Sequence, residues 1–527
     1  MATKIDKVIV TNLAALRAKY GAAGLTRLQK AVNALVAADR GRGLVTQLVG
    51  LDDKTDMGRL SATPVTDPAD ARQNKTAIDA VYRGLAPDYL MLLGAVDVIP
   101  HQDLKNPLYT GGTGPEDDVD PLALGDLPYA CEAAYSQAIT SFLGPTRVVG
   151  RLPDVTGATD PAYLLGVLET CAGWTGRDRS AIAGCFAVTA QVWQASSRQS
   201  TANIFGSARD LQSVPPKGRP WPAARLRAPV HFFNCHGAKG SPQFFGQPAS
   251  GAAQYPVALD SADLAGRIGE GTVAAAECCY GAELYGLSAT RRQMGICNSY
   301  LENKAYGFLG SSTIAYGPAS GNGQADLICQ YFLGRVLAGS SLGRATLEAR
   351  QRFVQAASPL DPSELKTLAQ FSLLGDPSIT PVTPASPVVA RPKDDAGRAG
   401  RQDRRRALFS RGLALAGSEP KLSRRRAPPP APLLRPLEAQ ARELGLEPGQ
   451  ALSFDVRHRP VRRRMPEAMA RDEQITSAYH VLFAHRAVGR AREAAIGEPA
   501  SGVPRVVLLV GKEVDGRLVS VEQIHSR

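Results

Sequence analysis

Several features are missing from this 527-residue chain, and each absence excludes something. No apolar run approaches the ~18 residues that a membrane span needs. The first residues, Met1-Ala-Thr-Lys-Ile-Asp-Lys7, have no continuous apolar core like that of a secretory signal, so a cytoplasmic location is expected. None of the eight cysteines forms a C-x-x-C pair, which argues against a zinc ribbon or a thioredoxin-like site. In a reducing compartment most of them are expected to be small buried hydrophobes. Net charge is nearly absent from most of the chain. Residues 384–527 carry 27 Lys/Arg against 16 Asp/Glu, a net +11, whereas residues 1–383 carry 34 against 33. The formal charge of +12 therefore belongs to a basic segment joined to a nearly neutral body, and a whole-protein polyanion binder is not expected.

With 44% hydrophobic and 21% charged residues the chain is globular, and its length suits about two to four domains. Short apolar runs ending in glycine or a polar residue read as buried strands: Tyr89–Gly94, Arg147–Gly150, Ala183–Val188, Pro229–Asn234, Thr272–Glu277 and Ala305–Gly310. Helical spacing is found at 12–37, 70–84, 160–173, 199–213, 260–268, 289–302, 323–338 and 342–357. The alternation predicts an α/β fold with a mainly parallel sheet flanked by helices. The expected division is an N-terminal α/β subdomain over 1–135 and a catalytic domain over 136–383. A basic Pro/Arg-rich linker, mostly disordered, is expected over 384–435, followed by a small α+β domain over 436–527. Within the last, 475–488 reads as helix or strand. Val506–Val510, the Asp515-Gly516 turn and Arg517–Val521 read as a β-hairpin.

Two strand ends carry reactive groups. One strand runs into Cys235-His236-Gly237 and the next into Glu277-Cys278-Cys279-Tyr-Gly281. Ligands of parallel α/β sheets sit outside the carboxyl ends of strands, so neighbouring strands would bring an imidazole and a thiol to one edge. The imidazole of His236 can take the proton of a thiol, and the thiolate is the nucleophile. Gly237 and Gly281 permit close backbone approach, and the N–H groups of Gly237 and Cys279 are candidate oxyanion donors. Period-two alternation at a strand end favours Cys279 as the nucleophile and turns Cys278 into the core.

Histidine first and cysteine about 50 residues later is the order of caspase-type proteases. The chain resembles the gingipain-type (C25) peptidases of that caspase-like clan. The resemblance is carried by Tyr89-Leu-Met-Leu-Leu-Gly-Ala-Val-Asp-Val-Ile-Pro100, Asp126-Leu-Pro-Tyr129, Val149-Gly-Arg-Leu-Pro153, His236-Gly237, Gly307-Phe-Leu-Gly-Ser-Ser312 and Phe371-Ser-Leu-Leu-Gly-Asp-Pro-Ser-Ile379, in order over roughly 85–383. Glu277-Cys-Cys-Tyr-Gly281 is also similar to the metacaspase pattern, in which the second cysteine is catalytic. The resemblance implies a caspase-like fold and peptide-bond hydrolysis through a thioester on Cys279, with His236 as its partner and no metal or cofactor. The best-known members cleave after Arg or Lys using an acidic pocket residue. The segment after the Ala183–Val188 strand, Thr189-Ala-Gln-Val-Trp-Gln194, holds no acid, so the sequence shows no equivalent of that residue. Without a secretion signal, an intracellular regulatory or defence protease acting on a protein or peptide is the expected role. A catalytically silent scaffold and a transpeptidase are the alternatives.

Other residues have simpler readings. His231 and Cys235 are expected to be structural, and a zinc site from His231, Cys235, His236 and Cys278 is disfavoured because adjacent cysteines rarely ligate one ion. Glu277 is a candidate to orient substrate or histidine, as are Cys278 and Gly281 for contact with substrate. The acidic run Glu116–Asp120 is expected to be a solvated turn, with binding of Ca²⁺ or of a basic side chain as the alternative. Residues 384–527 are a candidate surface for a regulatory protein partner, and the linker could contact nucleic acid only nonspecifically.

Overall fold

The computed structural model describes residues 4–182, 184–250, 254–287, 293–357, 359–383, 398–417, 420–458, 476–486 and 502–527. Ten strands form its central sheet: β1 (Lys7–Thr11), β2 (Thr46–Gly50), β3 (Tyr89–Leu93), β4 (Val149–Leu152), β5 (Phe186–Ala190), β6 (Leu211–Val214), β7 (Val230–Asn234), β8 (Val273–Ala276), β9 (Gly307–Ser311) and β10 (Phe371–Gly375). Their order is β2-β1-β3-β4-β10-β9-β8-β7-β5-β6. Neighbours are parallel except at β9 and β10, which are antiparallel, so the sheet is two parallel halves of opposite direction. The sheet is continuous across the expected boundary at residue 135. All five residues of β1, β3, β7 and β10 are buried, as both-face coverage by helices requires.

Four sheet strands depart from the expected elements. β1, β2 and β10 were not anticipated, and β6 falls where a helix was expected to continue to 213; that helix ends at Phe205, capped by Gly206 in the left-handed conformation. Residues 260–268 hold only the short 3-10 turn Ser261–Asp263. Of the helix expected over 289–302, Ile296–Glu302 is present, and residues 289–292 lie outside the described residues.

Motif segments hold buried ion pairs within the half of the sheet formed by β2, β1, β3, β4 and β10. Asp126 takes Arg151 at 2.6 and 2.9 Å and His101 at 3.0 Å. Burial alone would raise the Asp126 acid, but the Arg151 guanidinium and His101 hold it far below the usual carboxylate range. Asp376, at the end of β10, pairs with Lys7 of β1, and Lys7 also lies 3.0 Å from Asp39.

The linker expected to be disordered is largely structured where described. Its end near 384–397 lies outside the described residues, but Arg398–Ala416 is a helix packed against the helix Leu342–Ala356, with Leu408 buried. Gln351 donates to the Leu408 carbonyl at 2.7 Å. The stretch has too few apolar residues to fold alone, but one buried leucine and backbone capture by the body hold it in place. Residues Pro420–Arg424 and Ala431–Glu443 also belong to the fold, as an edge strand and a helix.

The last quarter forms a second, antiparallel sheet in the order Tyr316–Pro318, Arg517–Ser526, Val507–Val514, Thr476–Arg486, Leu446–His458, Pro420–Arg424. Residues expected as helix or strand at 475–488 are strand. The hairpin turn has Asp515 and Gly516 both at positive φ, 51° and 76°, which matches the right-handed twist of its strands. One face, with Phe454, Val481 and Leu508, joins the main core. The other, with Leu482 and Leu509, is covered by Leu437 and Ala441 of the helix Ala431–Glu443. This module is therefore not a separable tail. Its core is shared with the body, and its sheet includes a strand of the body.

Candidate active site

β7 and β8 are adjacent and parallel, with Val230 opposite Val273 and Phe233 opposite Ala276. Their carboxyl ends therefore deliver His236 and Cys279 to one edge. How close they come is fixed by Gly237: a Cβ placed there would lie 1.8 Å from the Cys279 carbonyl oxygen. Only glycine allows this contact. After Cys279 the backbone turns sharply. Tyr280 has φ 54°, a strained value for a bulky residue, and its hydroxyl donates to Asp120 at 2.8 Å.

His236 is buried and sits on a two-residue strand paired with Gln243–Phe245. Its Nε2 lies 2.7 Å from Gln247 Oε1, so Nε2–H donates and the tautomer is set. The ring centroid is 4.4 Å from that of Trp193 and 5.0 Å from that of Tyr255. Gln247 and Trp193 were not legible as site residues, because a loop glutamine and a lone tryptophan carry no spacing signal.

The Cys279 thiol lies between main-chain groups of Ala315, accepting from its N–H at 3.3 Å and donating to its carbonyl at 3.5 Å. Burial pushes this thiol up to about 12, against a smaller opposing effect of the Ala315 hydrogen bond. Cys278 is also buried; burial and the neighbouring Cys235 raise it, while a hydrogen bond to the Cys235 main chain opposes them. Gly281 closes the turn, its N–H bonded to the Cys278 carbonyl at 3.1 Å, with Cys278 and Ala276 as its nearest neighbours.

One main-chain oxygen lies between the two candidate oxyanion donors. Arg527 O accepts from Cys279 N–H at 3.0 Å and from Gly237 N–H at 3.4 Å. The Arg527 side chain is fully buried, and its Nη2 lies 3.1 Å from Asp326 and 2.8 Å from the Pro318 carbonyl. Asp326 is buried in the first turn of the helix Gln324–Leu337, a position that no spacing to His236 or Cys279 indicates. Glu277 is buried beside it. Burial and the Asp326 carboxylate raise the Glu277 acid, with Arg527 opposing.

The acidic run is not a solvated turn. Asp118 is buried and pairs with buried Lys366 at 2.7 Å, and Asp120 lies 3.5 Å from the same ammonium. The same two oxygens, Asp118 Oδ2 and Asp120 Oδ2, also accept from the Tyr316 hydroxyl at 2.8 Å and the Ile314 N–H at 2.8 Å. The run thus braces the backbone beneath Cys279. Of the residues considered for zinc, His231 bonds the Tyr300 hydroxyl at 2.6 Å and Cys235 faces the Val188 carbonyl at 3.8 Å, both within the aromatic core. Burial pushes the His231 imidazolium down to about 3, so the ring is neutral. Among the described residues no helix is long and apolar enough to cross a membrane.

No family model matches the chain, and no curated protein matches it. Solved structures similar to it include one described as a protease, 15% identical, covering 100% of this chain and 98% of that one at a TM-score of 0.44. Another is the Arg-specific cysteine proteinase gingipain R, 9% identical, with 99% and 98% coverage and a TM-score of 0.47. A third is the complex of RgpB pro- and mature domains from Porphyromonas gingivalis, 9% identical, with 98% and 99% coverage and a TM-score of 0.48.

Proposed function

We propose that the chain is a cysteine endopeptidase with Cys279 as nucleophile and His236 as its acid–base partner. The observation that carries this reading is the convergence of the Gly237 and Cys279 N–H groups on one main-chain oxygen, beside the Cys279 thiol. Donors aimed at such a point stabilise the charge that develops when a thiolate adds to a peptide carbonyl. In the proposed reaction His236 takes the Cys279 proton, the sulfur bonds to the carbonyl carbon, and the oxyanion rests on the two N–H groups. His236 then gives the proton to the leaving amine, and water hydrolyses the thioester. Gln247 keeps the imidazole in one orientation throughout. The setting we propose is an intracellular regulatory or defence protease acting on protein substrates.

A catalytically silent scaffold has one observation in its favour, the burial of the Cys279 thiol under the last strand. Labelling with an irreversible peptidyl electrophile separates the two. The expected result is modification of Cys279 in the wild type and in Cys278→Ala, and none in Cys279→Ala. Modification of Cys278 would move the nucleophile. If no labelling is seen even after the Arg527 side chain has been removed, the chain is a scaffold.

A further inference from the structure

The run Arg424-Arg425-Arg426 lies where the second sheet opens at its outer strand. Pairing of Pro420–Arg424 with Leu446–His458 sets Arg424 opposite Phe454, and one further bond, from the Arg425 N–H to the Ser453 carbonyl at 2.8 Å, ends the ladder. Beyond it Ala427-Pro-Pro-Pro430 leads away to the helix Ala431–Glu443, because proline has no N–H with which to continue a ladder. The facing strand is irregular at the same place: its pairing with Thr476–Arg486 shifts register between Pro448 and Ala451. Between the two lies a cavity of about 610 Å³, lined by Arg424, Arg425, Arg426 and Gln450 and, on its apolar part, by Pro428 and Leu452. That volume falls within the roughly 300–1,000 Å³ of ligand sites.

Two of the arginines are held in direction by the protein. Arg425 donates from Nε at 2.8 Å and from Nη2 at 2.5 Å to one Asp455 oxygen, and Glu513 adds to the attraction. Arg424 Nη1 donates to the Tyr109 carbonyl of the body at 2.9 Å, a bond that brings no negative charge. Arg426 is exposed and meets no carboxylate among the described residues. Solvated arginines on a flat surface indicate no ligand. Here two guanidiniums without a carboxylate border a concave site whose other wall is apolar. A phosphate monoester carries about −1.5 to −2 charges and three acceptor oxygens, the complement of two guanidinium forks. No aromatic ring lines the cavity, so neither a nucleobase nor a phosphotyrosyl ring finds a stacking surface. Pro420–Arg424 is the outermost strand of its sheet, and one side of its main chain has no strand partner among the described residues. An extended peptide gains affinity by pairing with such an edge.

We infer that this cavity is a recognition site for a phosphorylated serine or threonine in an extended segment of a partner protein. Arg426 and Arg424 receive the phosphate, Arg425 forms the wall that Asp455 fixes, and Pro428 and Leu452 pack the neighbouring side chain. The site stands apart from the peptidase reading, since neither His236 nor Cys279 belongs to its lining. It gives part of the positive charge of the last quarter a localised use, and phosphorylation of the partner decides whether it binds.

The test uses the full chain and a short fluorescent peptide of alternating valine and alanine with one central phosphoserine, read by anisotropy at fixed ionic strength. Saturable binding is expected, and the serine counterpart should bind at least about tenfold more weakly. Arg426→Ala should weaken binding about ten- to a hundredfold, the range for loss of one charged hydrogen-bonded partner, and Arg426→Lys by less. Arg426 is exposed, so neither variant disturbs packing. Arg442→Ala removes another exposed charge of the same module, one that lies outside the cavity at 3.5 Å from Glu438, and should leave the affinity within about twofold. The inference is overturned by absence of saturable binding, by equal affinity for the serine and phosphoserine peptides, or by an equal loss in Arg442→Ala. Inorganic phosphate that competes as well as the phosphoserine peptide would make the occupant a free anion and overturns it too. So does duplex DNA that binds more tightly than the peptide and loses as much in Arg426→Ala.

Discussion

Gly237→Ala gives the most severe test of the site geometry. A methyl group at this position would lie 1.8 Å from the Cys279 carbonyl oxygen and 2.9 Å from its carbon. Both neighbours are backbone, so no rotamer change relieves the contact. Real Cβ atoms stay at least 3.0 Å from such atoms, so the two loops must separate by at least about 1.2 Å. That movement takes the Gly237 N–H off the point it shares with Cys279 N–H and moves His236 away from the thiol. Misplacement by ~1 Å costs about 10²-fold, and loss of one oxyanion donor about 10²–10³-fold. The expected loss in kcat/KM is therefore at least about 10²-fold, with an overpacking penalty of about 1–3 kcal/mol in denaturant melts. The measurement is made on the full chain with a peptide substrate. Gly281→Ala is the control. Its Cβ would meet the Cys278 carbonyl at 3.1 Å and the Ala276 Cβ at 3.4 Å, which a shift of a few tenths of an ångström relieves, so a loss below about tenfold is expected. A folded Gly237→Ala protein with activity within threefold of its parent refutes the reasoning.

Acid should destabilise the fold through His231. Its folded pKa is lowered to about 3 from 6.5 by burial, so the unfolded chain binds the extra proton between those values. Stability is then fully present above pH 6.5 and is lost as pH falls toward 3, by at most about 5 kcal/mol; His231→Phe should flatten the pH dependence of denaturant stability in that window. Lys366→Met should leave Asp118 and Asp120 buried without their cation, lowering stability by about 3–5 kcal/mol. Combining it with Asp118→Asn should recover part of that loss, and additive costs in the double variant would contradict the buried pair.

Elements with a local signature were legible. The apolar runs around Leu90, Phe232, Ala275 and Leu309 became sheet strands, and the helices Ala71–Leu85 and Leu342–Ala356 lie within a residue of their expected limits. Elements whose order comes from a neighbour were not. β1 is five residues long and gains its identity from β2 and β3 on either side. The helix Arg398–Ala416 is rich in arginine, and one buried leucine against the body holds what composition alone assigns to disorder. The acidic run Glu116–Asp120 reads as solvated because Lys366, its counter-ion, lies about 250 residues away in sequence.

The sequence by itself determined the alternation of strand and helix, the two reactive strand ends and the confinement of positive charge to the last quarter. Residue order and short-range periodicity encode all three. The tertiary structure decided that these strand ends are neighbours, that the basic quarter joins the core, and that Arg527 lies between Asp326 and the N–H groups of Gly237 and Cys279. Trp193, Gly317, Asp326 and Arg527 come from four separate parts of the chain. No local pattern links them, because burial of one guanidinium requires a carboxylate, a ring face and a missing Cβ to meet at one point in space.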